Sequence, residues 1–189
     1  MAYPGKEVIN PITGQSLRFV RTAEGTGGEV LEMISMLRAG STEPVPHYHP
    51  RQREDFTVLE GTITVLMKGG PRTLQAGDTL HVPANTVHSM WNASDKPAVV
   101  NWQVRPAMDT EVFFETAFGL AMDGKVNAKG MPSLPQTALL ADHFRHVYRI
   151  ARPPYPVQRV LFAVIKPLAR LMGLRPVYPK YVESGPQGT

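Results

Sequence analysis

Between residues 30 and 104 no apolar run lasts longer than a β-strand. Glycine, proline or asparagine breaks the chain at Gly40, Pro44, Pro46, Gly61, Gly69-Gly70-Pro71, Gly77 and Pro83-Ala84-Asn85. The stretches left between these breaks (30–38, 56–59, 62–68, 72–75, 79–82, 86–91 and 99–104) are rich in Val, Ile, Thr, Phe and Trp. No helical period separates them, so parallel βαβ units are excluded. Many short strands joined by frequent turns predict an all-β sandwich or barrel. Residues 6–22 add an opening strand pair around Val8-Ile9 and 17–20, and residues 22–29 read as a glycine-rich turn.

Onto this frame the sequence places a set of metal donors. His47 and His49 are one residue apart, and side chains alternate along a strand, so both imidazoles leave the same face. Pro44 and Pro46 hold the approach extended. Glu54 can return to that face across a bend, and His88 can join if a hairpin brings its strand alongside. Three imidazoles and a carboxylate suit one borderline divalent transition ion such as Fe, Mn, Ni, Co, Cu or Zn. Calcium and magnesium, which want oxygen donors, do not fit. The chain has no cysteine, which excludes disulfides, zinc–thiolate sites and a catalytic thiol.

The spacing also resembles a known family. His47-x-His49, four residues, Glu54, six residues and Gly61 resemble the first cupin motif. Gly77, five residues, Pro83, one residue, Asn85, two residues, His88, three residues and Asn92 resemble the second. Asn85 stands where the motif usually has glycine, and asparagine is among the few residues that enter the left-handed region easily. The similarity covers residues 28–106 and is to small bacterial single-domain cupins. It implies a jelly-roll β-barrel with one divalent metal held by His47, His49, Glu54 and His88. It further implies a mononuclear metal-binding cupin, either a metal-dependent oxygenase or isomerase acting on a small organic molecule, or a non-catalytic metal- or ligand-binding module. In an enzyme of this kind Glu54 would leave the metal and act as general base. Gly40, Gly61, Gly77, Pro83 and Asn92 are expected to serve turn geometry. Met33, Met36, Met67, Met90, Trp91 and Trp102 are divided between core and pocket, and Met90 shares the strand parity of His88. His81, His143 and His146 are read as lying outside the site.

Composition changes after residue 107, which suggests a barrel over 1–107 and a C-terminal helical extension over 108–189, packed on the barrel or on a dimer partner. Asp109 or Thr110 can cap a first helix, with Glu111 in its first turn, ending at Met122 before Asp123-Gly124. Residues 136–150 read as a second helix. Residues 152–156 break it, and residues 158–173 form a third. In the third, Leu161, Ile165 and Leu168 fall on an apolar stripe expected to be buried, and Pro167 should bend or split the helix. Residues 175–189 are proline-rich and expected to be extended. Residues 143–182 carry eight Lys and Arg and no acid, whereas residues 1–142 carry 12 basic and 15 acidic side chains. Packing is ranked above a membrane-surface role for the basic helix, and no aromatic-interleaved basic patch points to nucleic acid. With no apolar leader and no membrane-length run, the chain is expected to be cytoplasmic, and the apolar stripe predicts a homodimer.

Overall fold

The structure is a computed structural model that describes residues 1–182. Alternation in the sequence becomes alternation in burial. Along Ala98–Arg105 every second side chain is buried, and the same period runs through Leu31–Leu37 and Arg53–Glu60. The strands in chain order are β1 (Glu7–Asn10), β2 (Gln15–Arg21), β3 (Leu31–Leu37), β4 (His47–Tyr48), β5 (Arg53–Glu60), β6 (Thr62–Met67), β7 (Gly70–Gln75), β8 (Thr79–Val82), β9 (Ser89–Trp91), β10 (Ala98–Arg105) and β11 (Arg149–Ile150). A six-stranded sheet runs β1-β2-β3-β10-β5-β8, a three-stranded sheet runs β7-β6-β9, and β4 pairs with β11. Every pairing is antiparallel.

One apolar core draws on both larger sheets. Phe19, Met33, Phe56, Val58 and Trp102 come from the six-stranded sheet, and Ile63 and Val65 from the three-stranded one. Glu54 sits on the inward face of β5 with Phe56 and Val58, because it shares their parity. Two turns required special backbones. Gly61 has φ 72°, and a Cβ there would lie 2.4 Å from the Pro97 carbonyl oxygen. Asn85 takes the left-handed conformation at φ 63°, as its motif position implies.

The helices follow: α1 (Thr110–Met122), α2 (Leu134–His143), α3 (Tyr155–Leu171) and α4 (Pro179–Val182). α1 has the expected bounds but not the expected cap. Asp109 makes no side-chain capping bond and instead meets His146 Nε2 at 2.9 Å, while Glu111 accepts the Ala23 N–H at 3.0 Å. The second helix is shorter than its apolar period suggested. It ends at His143, and the segment after it turns back, since Arg149 and Ile150 find backbone partners in Tyr48 and His47. Leu120, Leu140, Phe144 and Val147 form a second apolar cluster beneath it.

α3 runs through Pro167 as one helix. The proline leaves the Ala163 carbonyl without its usual donor, and Ala163 is exposed, so water can satisfy it. The stripe is not buried as a unit. α3 packs against α2, buries Gln158, Phe162 and Ala169, and leaves Leu161 and Leu168 exposed; Gln158 donates to the Ile150 and Pro153 carbonyls at 2.9 and 2.6 Å. The extended tail expected over 175–189 is instead helical at α4, where Pro179 opens a single turn, and residues 183–189 lie outside the described residues. No helix among the described residues is long and apolar enough to cross a membrane.

Candidate metal centre

His47 and His88 face each other across an isolated antiparallel bridge, their backbones exchanging hydrogen bonds at 3.0 and 2.9 Å. A directly opposed pair puts both imidazoles on one face. His49, two residues on from His47, joins that face, and its carbonyl is held by the Asn85 N–H at 2.8 Å. The left-handed turn at Asn85 thus ties one histidine strand to the other. The three rings offer nitrogens that all lie within 4.8 Å of one another.

The tautomer of each ring follows from its neighbours. His47 Nδ1 meets the Val45 carbonyl at 3.0 Å, His49 Nδ1 the Val147 carbonyl at 2.8 Å, and His88 Nδ1 the Thr86 carbonyl at 3.0 Å. A carbonyl only accepts, so each Nδ1 carries the hydrogen and each neutral ring keeps its lone pair on Nε2. This arrangement fixes and orients metal-binding imidazoles.

Glu54 completes the group from β5. Its Oε1 lies 3.3 Å from His49 Nε2 and its Oε2 lies 2.8 Å from His88 Nε2. Yet His49 Nε2 and Glu54 Oε2 are both buried without an aligned hydrogen-bond partner. The His88–Glu54 contact is therefore a close electrostatic approach rather than a well-directed hydrogen bond. Buried donor atoms that converge without satisfying one another are what a cation-binding site presents. The three imidazoles form a group that could hold one metal ion, and the Glu54 carboxylate lies beside it.

Electrostatics agree. Burial, together with the neighbouring His88 and His49, holds the His47 imidazole down at about 3, so it is neutral at ordinary pH. Burial alone would raise the Glu54 carboxyl, but His49, His88 and His47 overcome that and hold it at about 2. Burial lowers His88, yet the carboxylate beside it prevails and raises its pKa. In the cluster the Glu54 carboxylate thus favours the protonated form of His88, whereas burial disfavours that of His47.

Three features were not visible from motif spacing. Trp102, a core candidate in the sequence, donates its indole N–H to Glu54 Oε1 at 3.0 Å. Val147 supplies the carbonyl under His49 from 98 residues away. Tyr148, next to it, stacks on His47 with centroids 4.7 Å apart and on Phe113 at 5.0 Å. The C-terminal extension therefore reaches the histidine cluster directly. Leucine–phenylalanine periodicity concealed this, because residues 144–148 satisfy a helical pattern as well as they satisfy a cap.

The other sequence candidates lie elsewhere. His81 pairs with Asp55 at 2.6 Å on the exposed side of the sheet. His146 pairs with Asp109, and His143 is exposed. Met33 is in the core, Met36 is exposed, and Met90 packs against the core. Met67, with Leu66, Pro46, Val87 and His88, lines a cavity of about 600 Å³ whose rim carries Lys68.

Comparison with known proteins bears on this geometry. The sequence profile of the family described as "Cupin domain" matches residues 33–104. A quercetin 2,3-dioxygenase of Bacillus subtilis (strain 168) is 42% identical over 79 residues, covering 41% of this chain and 23% of that protein. Germin-like protein 12-2 of Oryza sativa subsp. japonica is 40% identical over 80 residues, covering 35% of each. The chain spans less than half the length of the curated relatives it matches. A crystal structure from Silicibacter pomeroyi, described as a sugar phosphate isomerase from a cupin superfamily, superposes with a TM-score of 0.44 at 25% identity, over 56% of this chain and 67% of that one.

Proposed function

From the match of residues 33–104 to the cupin domain, we propose that this chain is a cupin and a mononuclear metal enzyme of the oxygenase class acting on a small organic molecule. The two antiparallel sheets would form the jelly-roll barrel of that family, with the extension from residue 108 as its cap. The observation that carries the reading is the set of three Nδ1–H···O=C contacts, which leaves three Nε2 lone pairs converging beside one ionised carboxylate. The quercetin 2,3-dioxygenase relative supports the oxygenase class.

When bound, a divalent ion such as iron, manganese, nickel, cobalt, copper or zinc supplies Lewis acidity and, where redox-active, an electron couple. The chain's own groups do the rest. His47, His49 and His88 hold the ion through Nε2. Glu54, anionic well below neutral pH, is placed to accept a proton from a ligand entering the site. Trp102 steadies its Oε1 so that Oε2 is the atom free to do so. Tyr148 stacks on His47 and is itself backed by Phe113, which shields that side of the ring from water. The cavity beside His88 offers an apolar wall to a small substrate.

A binding module without turnover is the second reading, favoured by the burial of His49 and His88 at 6% and 3% exposure. Two measurements test the proposal. Elemental analysis of untagged protein should find one transition ion per chain, lost in both His49→Ala and His88→Ala. Oxygen uptake by the iron-, manganese- or copper-loaded protein, with quercetin as the first probe and a panel of small phenols after it, should exceed that of His88→Ala. Retained metal in both variants removes the site assignment. Bound metal with no uptake across the panel leaves the binding module.

A further inference from the structure

The cavity beside His88 exists because two strands part. β9 pairs with β6 as far as Leu66 opposite Ser89. Continuing that register would set Met67 against His88 and Lys68 against Val87. Instead His88 bridges to His47, and β6 ends at Met67, where the chain turns through Gly69 and Gly70 into β7. Both glycines have positive φ, which a tight reversal there requires. The gap left between the strands is the cavity of about 600 Å³. That lies within the roughly 300–1,000 Å³ usual for small-molecule sites.

The lining is apolar with one cation. Pro46, Leu66, Met67 and Val87 supply the apolar wall, and no acidic side chain borders it. The Asn85 side-chain amide is already engaged, donating to the Pro50 carbonyl at 3.2 Å. Lys68 is not. Lys125, Lys166 and Lys180 each sit against an aspartate. Lys68 is exposed, and among the described residues its ammonium has no carboxylate or hydrogen-bond partner. A lysine stem can lie along apolar surface while its ammonium stays at the edge.

An unpaired cation over an acid-free apolar wall selects an anion with an apolar body. The charge count narrows the anion further. Phosphate sites gather several converging N–H donors or an Arg fork, and this cavity offers one ammonium, which matches a carboxylate. Resting on the reading of this cavity as the substrate's place beside the metal centre, we propose that the ligand is a small carboxylic acid. Its carboxylate is held by Lys68 at the rim, and its ring or chain lies along Leu66, Met67 and Val87 toward His88.

Calorimetric titration of the full chain as purified, at low salt, tests this with para-hydroxybenzoate, phenylacetate and hexanoate, each beside its uncharged amide. At least one acid should bind at millimolar concentration or below, and more tightly than its amide. Lys68→Gln should weaken that acid roughly 3- to 10-fold, between the worth of an exposed ion pair and that of a charge-assisted hydrogen bond. The amide should move by less than twofold, and Lys68→Arg should keep the acid. Lys96→Gln, which removes another exposed cation, is the control for net charge. Val87→Trp, filling the cavity from an exposed position, should remove binding of acid and amide alike. No binding by any of the acids overturns the proposal, as does an acid affinity unmoved by Lys68→Gln or equally reduced by Lys96→Gln. Lys68-dependent binding of inorganic phosphate as tight as that of the acid would assign the ammonium to phosphate and overturn it too. Oxygen uptake keeps the two readings apart. Lys68-dependent acid binding without uptake supports the carboxylate and removes only the oxygenase step. Uptake with acid and amide alike, unmoved by Lys68→Gln, supports the oxygenase and overturns the carboxylate.

Discussion

Replacing Trp102 by phenylalanine isolates one interaction at the candidate centre. The indole N–H donates to Glu54 Oε1 at 3.0 Å, and Glu54 is fully buried. Phenylalanine keeps a ring against Phe56, now stacked at 5.4 Å, and against Phe114, now edge-on at 5.1 Å. The hydrogen bond is charge-assisted, and such bonds contribute about 1.5–3 kcal/mol. Its loss should raise the Glu54 pKa from about 2 by roughly one to two units at 1.36 kcal/mol per unit. The carboxylate thus stays ionised at pH 7, but it loses the contact that fixes its orientation. Metal affinity should fall about 10- to 100-fold, the usual cost of removing an outer-shell partner. Competition with a chromophoric chelator at pH 7 measures this, and the deficit should widen toward pH 5 as the raised pKa is approached. The smaller ring also leaves a packing defect, which lowers the melting temperature of the metal-free protein but should not change its metal affinity. Affinity within twofold of wild type would refute the reasoning. So would an equal loss when Trp102→Phe is made in a Glu54→Ala background, since no carboxylate remains there to couple to.

Three further outcomes are expected. Gly61→Ala should destabilise by at least about 1–3 kcal/mol in denaturant titration, because φ is 72° and the new Cβ would press on the Pro97 carbonyl; a neutral result would mean that the turn relaxes freely. Phe144→Ala, at a fully buried position under the cap, should cost about 3–5 kcal/mol and loosen metal retention in a dialysis assay; unchanged retention would separate the cap from the centre. Metal-free stability should peak near pH 6.5. Below it the folded protein holds His47 neutral down to about 3 while the unfolded chain takes up a proton. Glu54 adds stability that is present above its ordinary 4.5 and lost as pH falls through about 2. Above pH 6.5, the raised His88 loses its contribution as pH climbs through its folded value. Melting scans of the metal-free protein that rise steadily from pH 6 to pH 4 would contradict this assignment, and bound metal should abolish the alkaline decline.

The histidine cluster was legible because its logic is local. Period two puts His47 and His49 on one face, the parity of β5 turns Glu54 inward with Phe56, and the Asn85 turn brings His88 back. What was not legible depends on partners distant in the chain. Nothing in residues 144–150 distinguishes a helix from a strand that pairs with Tyr48, because Phe144, Val147 and Tyr148 suit both. By its period alone the apolar stripe of α3 is one surface. Period alone cannot say that Phe162 and Ala169 are buried while Val164 and Leu168 are not, since all four are apolar and the buried and exposed arcs adjoin. Trp102 was recognised as inward-facing, but an indole N–H announces no acceptor until the fold places Glu54 beside it.

The pairing of β11 with β4 has a consequence for synthesis. His49 precedes the carbonyl that fixes its tautomer by 98 residues, an interval of roughly 5–20 s at translation rates of about 5–20 residues per second. His88 emerges well within that interval. A growing chain would therefore bring its three imidazoles together while one of them still lacks its anchor and Tyr148 has yet to exist. Loading in that interval would be rapid and readily reversed. Once residues 147–151 close over the cluster, the same ion would exchange far more slowly, so the metal found in the finished protein would record what was available while the chain was being made.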